Sequence, residues 1–269
     1  MFIDKNAYLA RIGFEGDGSQ IKPTLDNLIA LHRQHAFSIP FENFDVYLRG
    51  DVSLDKEAIF DKLVYQGRGG YCYEMNGLFF DALEHFGYQV QYLTSRPMLG
   101  YFEKRPKTHM ILKVDIEGES YICDQGFTGM SLIEPIKLED GVESEQYGFA
   151  FKVLEVEEGL YQIQSLQSGN WVSLFEFDLQ EQLYIDFSVP NHFNVTSPDS
   201  ICTRKVIASI YTKTGRVHML DNKLRFRGGA ENQDIEISSQ QHLEEVLMGN
   251  YKISLNDEGL AKMYSVISV

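Results

Sequence analysis

Gly69-Gly70-Tyr71-Cys72-Tyr73-Glu74-Met75-Asn76 joins two glycines to a cysteine that opens an amphipathic helix. Beyond Tyr71, apolar side chains recur at Met75, Leu78, Ala82, Leu83 and Phe86, the spacing of one helical face, and Gly87 is a natural stop. A thiol in the first helical turn sits among unpaired backbone N–H groups at the positive end of the helix dipole. Both favour the thiolate, which is the nucleophile, so Cys72 is the candidate reactive atom of the chain. The same position also suits a buried cysteine that serves only as a small apolar side chain.

Upstream of this stretch the chain reads as helical. Pro23-Thr24 precedes Leu25, Leu28, Ile29, Leu31 and His32, with His35 near the end and Ile39-Pro40 as the break. Ser53 is the expected N-cap of a second helix carrying Leu54, Ala58, Ile59, Leu63 and Val64, and Gly67-Arg68-Gly69-Gly70 turns into the Cys72 helix. His32 and His35 read simply as helix-end residues.

Downstream, from Tyr88, the period changes to short alternating runs. Residues 89–93, 109–114, 120–124, 149–153, 160–164 and 171–175 read as strands, with turns at Glu117-Gly118, Glu158-Gly159 and Ser168-Gly169-Asn170. Strands at this pitch without intervening helices suggest a small antiparallel barrel or sandwich. After Pro190 a stretch rich in turn formers, Asn191 to Ser200, reads as a loop. Strands at 205–211 and 216–220 pair across Thr214-Gly215, Ser239 caps a helix with Leu243, Val246 and Leu247, and a last helix runs from Asp257 to Val266. The fold class is α+β, in three parts: residues 1–88 helical and carrying the nucleophile, 89–190 β, and 191–269 an interdomain loop and mixed α/β region.

Bulk properties narrow the function. A net charge of −15 over 269 residues weighs against nucleic acid or an anionic membrane as partner. No apolar run approaches a membrane span and Met1-Phe2-Ile3-Asp4-Lys5 leads into no signal-peptide pattern, so the expected location is the cytoplasm. Cys72, Cys123 and Cys202 are odd in number and widely spaced, which argues against a disulfide framework, and no Cys-x-x-Cys or paired-histidine spacing points to a metal. An anionic cosubstrate needs a local basic patch. The candidates are Lys104, Arg105 and Lys107, then Arg204 and Lys205, then Lys213, Arg216, Lys223, Arg225 and Arg227; each also reads as a solvated surface charge.

A catalytic cysteine needs a base and a group that orients the base. His109 begins one β run and Asp124 ends the next. If the hairpin folds about Glu117-Gly118, paired residues sum to 235 and His109 stands opposite Gly126. Asp124 is then its diagonal neighbour on the same face, roughly 7–8 Å away between Cα atoms. A slip of one residue would put the two on opposite faces. In the matching register Asp124 fixes the tautomer of His109 and His109 serves Cys72, the logic of a Cys-His-Asp core as in cysteine proteases. Behind the acid, Gly126-Phe127-Thr128-Gly129 can form a tight loop whose amides approach an anionic or acyl group.

These residues resemble a known family. Arg68-Gly69-Gly70-Tyr71-Cys72-Tyr73-Glu74-Met75-Asn76 is similar to the arylamine N-acetyltransferase signature, arginine-glycine-glycine-x-cysteine-x-glutamate-x-asparagine. The resemblance continues in Ile39-Pro40-Phe41-Glu42-Asn43, Thr108-His109, Asp124-Gln125-Gly126-Phe127 and Asn191-His192-Phe193 with Thr196-Ser197-Pro198, in the family's order. It implies a helical bundle, an antiparallel β-barrel and an α/β lid. It also implies a Cys72–His109–Asp124 triad, with acetyl-CoA as cosubstrate rather than a bound cofactor. An acetyl group is then held on Cys72 and passed to an aromatic amine or hydrazine, in the manner of xenobiotic-metabolising enzymes. By the same resemblance Phe127 lines the acceptor pocket, Gly126 and Gly129 lie near the donor's pantetheine or pyrophosphate, and Arg11, Glu42 and Arg68 form a buried charge network that braces the cysteine turn. Relatives often have phenylalanine where this chain has Cys202, read as a packing substitution.

The alternatives are an amide synthase that keeps the triad but takes another acyl thioester, a cysteine hydrolase, and a non-catalytic binding module. The natural acceptor and the oligomeric state are not legible in the sequence.

Overall fold

Short polar side chains start most of the helices by accepting the first free backbone N–H groups. Asp4 caps α1 (Lys5–Arg11) and Thr24 caps α2 (Leu25–Ser38). The chain then forms β1 (Phe41–Glu42), α3 (Phe44–Leu48) and α4 (Lys56–Phe60), which continues as a π-helical turn over 61–65, before α5 (Cys72–His85). The cap of α4 is Asp55, which accepts from the Ala58 N–H at 2.8 Å, and not the expected Ser53. Ser53 acts one step earlier, its hydroxyl accepting from the Asp55 N–H, so the polar pair divides the turn and the cap between them. This computed structural model describes residues 4–16, 18–100, 103–228 and 232–268; Met1, Phe2 and Ile3, which entered the N-terminal reading, lie outside the described residues.

The β region follows as β2 (Gln89–Pro97), β3 (His109–Ile116), β4 (Glu119–Cys123), β5 (Ile136–Lys137), β6 (Glu143–Gln146), β7 (Phe149–Glu157), β8 (Leu160–Gln167) and β9 (Asn170–Gln182). They form one antiparallel sheet in the order β5-β4-β3-β2-β9-β8-β7-β6, curled into a nearly closed barrel around Leu93, Ile111, Ile122, Phe151, Val153, Ile163 and Phe175. Its two edges are stitched by a side chain. Gln146 of β6 accepts from the N–H groups of Ile133 and Glu134, just ahead of β5, and donates to the Glu134 carbonyl. The β3–β4 hairpin pairs Leu112 with Cys123 and Ile116 with Glu119, the register expected from a turn at Glu117-Gly118. Those two residues have φ of +52° and +87°, the twist that two-residue hairpins prefer.

The segment expected to be a loop after Pro190 is helical: α6 spans Ser188–Thr196 and α7 spans Ile201–Arg204. Pro190 stands in the first turn of α6, where a missing N–H costs nothing, so proline and asparagine there start the helix instead of preventing it. The C-terminal sheet is built from β10 (Ile207–Thr212), β11 (Gly215–Leu220), β12 (Lys223–Arg227) and β13 (Gln233–Glu236), with β1 added to the outer edge of β10. The β10–β11 turn is Lys213-Thr214, one residue earlier than expected, because Gly215 belongs to the ladder opposite Thr212. A Cβ on Gly215 would stand 2.3 Å from the Arg227 carbonyl oxygen, so this glycine allows close strand approach rather than a turn. Then α8 (Gln240–Val246, capped by Ser239) and α9 (Asp257–Ile267, capped by Asn256) cover one face of that sheet. Among the described residues no helix is long and apolar enough to cross a membrane.

Two features fix where these parts meet. Phe41 bridges to Gly70, with the Glu42 N–H on the Gly70 carbonyl at 2.9 Å, so the turn into α5 is tied through β1 to the C-terminal sheet. Tyr73 and Asn194 both donate to the Thr108 carbonyl, which holds α5 and α6 against the start of β3.

Candidate active site

Cys72 is the first helical residue of α5, and the helix is fastened to the β3–β4 hairpin one turn later by Asn76. The Asn76 amide nitrogen donates to the Met110 carbonyl at 2.8 Å and to Asp124 Oδ1 at 3.0 Å, while its oxygen accepts the Gln125 N–H at 2.8 Å. Residues four apart on a helix share a face, so anchoring Asn76 also positions Cys72 against the hairpin.

Asp124 is fully buried with three directions of support. Oδ1 accepts from Asn76 and from the Gly126 N–H (2.9 Å), Oδ2 lies 3.1 Å from His109 Nε2, and its own N–H donates to His32 Nε2 at 3.2 Å. A carboxylate can only accept, so His109 carries its proton on Nε2 and Nδ1 is left as the basic nitrogen. His109 is held from behind by β2, where Ser95 donates to its carbonyl, and its ring packs edge-on to Phe127 at 4.9 Å between centroids.

His32 is not the simple helix-end residue that its place in the sequence suggests. It is buried, its Nδ1 donates to the Ile133 carbonyl at 2.9 Å and its carbonyl accepts from Gln125 Nε2. Burial lowers its pKa to about 4, against the Ile133 bond and the Asp124 charge, so the ring is neutral and Nε2 is free to accept from the Asp124 N–H. His35, also buried, bonds the Tyr8 hydroxyl through Nδ1.

Cys72 and His109 border a cavity of about 440 Å³ whose walls also include Gly126, Phe127, Phe41 and Cys202. Phe127 is both a cavity wall and part of the barrel core. Gly126 is packed directly on Cys72: a Cβ there would lie 2.5 Å from the Cys72 Cα. Gly129, by contrast, does not itself border this cavity. Its Cβ direction meets Ser209 and His218, and its carbonyl accepts from Arg216.

A first-turn position alone does not make Cys72 a thiolate. Burial pushes its thiol well above the ordinary value, with Cys202 and Asp124 adding to the effect, and the N–H groups of Met110 and Tyr73 pull against it. A buried thiolate therefore needs a cation formed beside it, and an imidazolium fills that need where a helix dipole does not.

Beneath the cysteine turn lies a chain of buried ion pairs. Arg68 binds Glu42 through Nε (2.9 Å) and Nη2 (2.6 Å) and reaches Asp45 at 3.2 Å; Lys62 joins Asp45 and Glu74, both at 2.8 Å. Glu74 Oε2 accepts the Tyr71 N–H at 3.0 Å, so the chain ends on the residue before Cys72. Arg11 is not part of this ion-pair chain: its guanidinium donates to the carbonyls of Ser38, Leu63, Gly67 and Arg68. Asp45, Lys62 and Glu74 were missed in the sequence, since charged residues scattered over 45–74 carry no spacing signal. Burial raises the Glu74 carboxyl to about 6 even with Lys62 beside it.

The sequence matches the N-acetyltransferase family over residues 24–260. It is 31% identical over 255 residues to the arylamine N-acetyltransferase / N-hydroxyarylamine O-acetyltransferase of Salmonella typhimurium, covering 94% of this chain and 89% of that protein. The Escherichia coli arylamine N-acetyltransferase is 37% identical over 197 residues, 72% of this chain and 68% of that one. The arylamine N-acetyltransferase structure from Mycobacterium smegmatis superposes with a TM-score of 0.92 at 29% identity over 100% of both chains. The enzyme of Mycobacterium marinum, solved in complex with CoA, superposes at 0.89 and 28%, over 98% of each. With a family match across most of its length, this chain belongs to the arylamine N-acetyltransferases, acyltransferases that use acetyl-CoA as cosubstrate.

Proposed function

We propose that Cys72, His109 and Asp124 act as the catalytic triad of an acetyl transfer from acetyl-CoA to an aromatic amine or hydrazine. The observation that carries this reading is the His109 Nε2–Asp124 Oδ2 contact of 3.1 Å at a cavity into which Cys72 and His109 both open. His109 Nδ1 takes the Cys72 proton, forming the thiolate–imidazolium pair that the buried thiol requires. The sulfur attacks the thioester carbonyl, the tetrahedral intermediate collapses, and the CoA thiolate leaves with the proton from His109. In the second half-reaction the acceptor nitrogen attacks acetyl-Cys72. His109 removes its proton, and Cys72 departs as the thiolate.

In this reading Gly126 lets the acyl group lie close to the sulfur, and Phe127 packs against the acceptor ring. Gly129 acts indirectly, by leaving room for Ser209 and for His218, which borders the cavity. Glu42 and Arg68 brace the turn through ion pairs and Arg11 through carbonyls. We read the chain as a helical unit (1–88), a barrel unit (89–190) and an α/β lid (191–269), working in the cytoplasm. Incubation with acetyl-CoA followed by intact-protein mass measurement tests the proposal. One acetyl adduct is expected on the wild type and none on Cys72→Ala; a wild type that gains no adduct refutes the acyl-enzyme mechanism.

A further inference from the structure

The β3–β4 ladder begins at Leu112, so His109 and Met110 lie beyond its end, with no β4 residue opposite them. Helix α5 takes the place of the missing strand. Three consecutive carbonyls at this end of β3 are held by side chains. Thr108 accepts from Tyr73 Oη at 2.7 Å and from Asn194 Nδ2 at 3.0 Å, His109 accepts from Ser95 Oγ at 3.2 Å, and Met110 accepts from Asn76 Nδ2 at 2.8 Å. The Met110 N–H donates to the Cys72 sulfur. Successive residues of a strand bond to opposite neighbours, so Thr108 and Met110 serve α5 while His109 serves its β2 partner, Ser95. Tyr73 and Asn76, three apart on α5, share the face that meets this edge.

The Thr108 carbonyl has the most direct bearing on the site. Its bond to Tyr73 joins the residue after Cys72 to the residue before His109. A carbonyl oxygen accepts two hydrogen bonds, and the second comes from Asn194 of α6. The Asn194 carbonyl accepts in turn from the Ser200 hydroxyl at 2.9 Å, which ties α6 to the start of α7. Tyr73 has no exposed surface, and its ring packs against Tyr71 and Phe187. Burial holds its hydroxyl well above the ordinary value, with Cys72 and Cys202 adding to the effect, so it stays protonated and donates. A rate change on removing that hydroxyl therefore cannot come from a lost contact with substrate.

The titratable groups around Cys72 are His109 and Asp124 from the hairpin, Cys202 from α7, and Tyr71 and Tyr73 from its own turn. Of these, His109 alone can become a cation. The attraction between thiolate and imidazolium falls with their separation, so the placement of His109 sets the pH at which the buried thiol ionises.

Resting on the triad reading above, we propose that Tyr73 and Asn194 are positioning residues that hold His109 within ion-pairing reach of Cys72 by clamping the Thr108 carbonyl between α5 and α6. The test follows alkylation of Cys72 by iodoacetamide against pH in the full-length enzyme, read by intact mass, with Cys72→Ala as the blank for Cys123 and Cys202. Tyr73→Phe keeps the ring and leaves Thr108 one donor, so thermal stability is expected to change little. The alkylation midpoint is expected to rise by about one pH unit and single-turnover acetylation by acetyl-CoA to fall about tenfold. In Tyr73→Phe/Asn194→Ala the loss of rate exceeds the product of the two single losses, because the carbonyl then has no donor. Should Tyr73→Phe not fold, Asn194→Ala reads the same midpoint. An unchanged midpoint overturns the proposal even where the rate falls, since a loosened fold lowers the amount of active enzyme without moving the titration of the rest. Single losses that merely multiply overturn the shared clamp. A wild-type midpoint that His109→Gln does not move is a different failure, that of the triad reading itself, and takes the proposal with it.

Discussion

Replacing Gly126 by alanine adds a single methyl group at the tightest point of the site. That Cβ would stand 2.5 Å from the Cys72 Cα, 3.2 Å from its Cβ and 3.3 Å from its N, where ordinary contact begins at 3.4 Å. The nearest atom is backbone at the start of a buried helix, so no rotamer change relieves it, and the hairpin and α5 must part by about 1 Å. Two magnitudes follow. Overpacking of this kind costs about 1–3 kcal/mol of stability, a fall in Tm of roughly 2–4 °C for each kcal/mol. A displacement of about 1 Å between nucleophile and base costs on the order of a hundredfold in rate. Gly249, in a helical turn with nothing within 4 Å of its Cβ position, is the control; Gly249→Ala should raise stability by up to about 1 kcal/mol and leave the acetylation rate unchanged. Single-turnover acetylation followed by mass measurement, alongside thermal melts, reads both quantities. Acetyl-Cys72 formation at the wild-type rate in Gly126→Ala would refute the claim that this contact sets the distance between sulfur and imidazole.

Two further outcomes follow from groups around the site. His32→Gln keeps an acceptor for the Asp124 N–H and should retain most of the acetylation rate. His32→Leu leaves that N–H and the Ile133 carbonyl unpaired, and should lose about 2–4 kcal/mol by chemical denaturation and at least about tenfold in single-turnover rate. Equal rates in the two variants would remove His32 from any role in placing the acid. Glu74, raised to about 6 by burial, binds its proton more tightly in the folded chain than in the unfolded chain. Its contribution to stability is therefore present below about pH 4.5, lost as pH rises to about 6, and constant above. The stability difference between wild type and Glu74→Gln should fall by about 2 kcal/mol across that window in denaturant titrations; a difference that grows with pH would contradict the burial argument.

Several elements were legible because their causes are local. Thr24, Ser239 and the 3.6-residue apolar stripe from Met75 to Phe86 specify helix starts and a helix face without reference to anything distant. Glu117-Gly118 fixes the β3–β4 register because a two-residue turn with positive φ admits one pairing, and that pairing places His109 and Asp124 on one face. The short strands β5, β6, β12 and β13 were not legible, since two to five residues carry too little alternation to stand out. Helix α6 was misread because proline and asparagine mark loops and helix starts alike.

By itself the sequence singled out Cys72 as the candidate nucleophile, the hairpin that carries the candidate base and acid, and the family signature that surrounds them. The tertiary structure alone decided the electrostatics. Whether Cys72 is a thiol or a thiolate depends on how completely the fold removes water from it, and that burial outweighs the helix terminus. The partners of Arg68, the neutral tautomer of His32 and the side chains that hold the Thr108 carbonyl likewise arise between segments distant in the chain. Charge interactions depend on distance and solvent exposure, neither of which exists until the chain has folded.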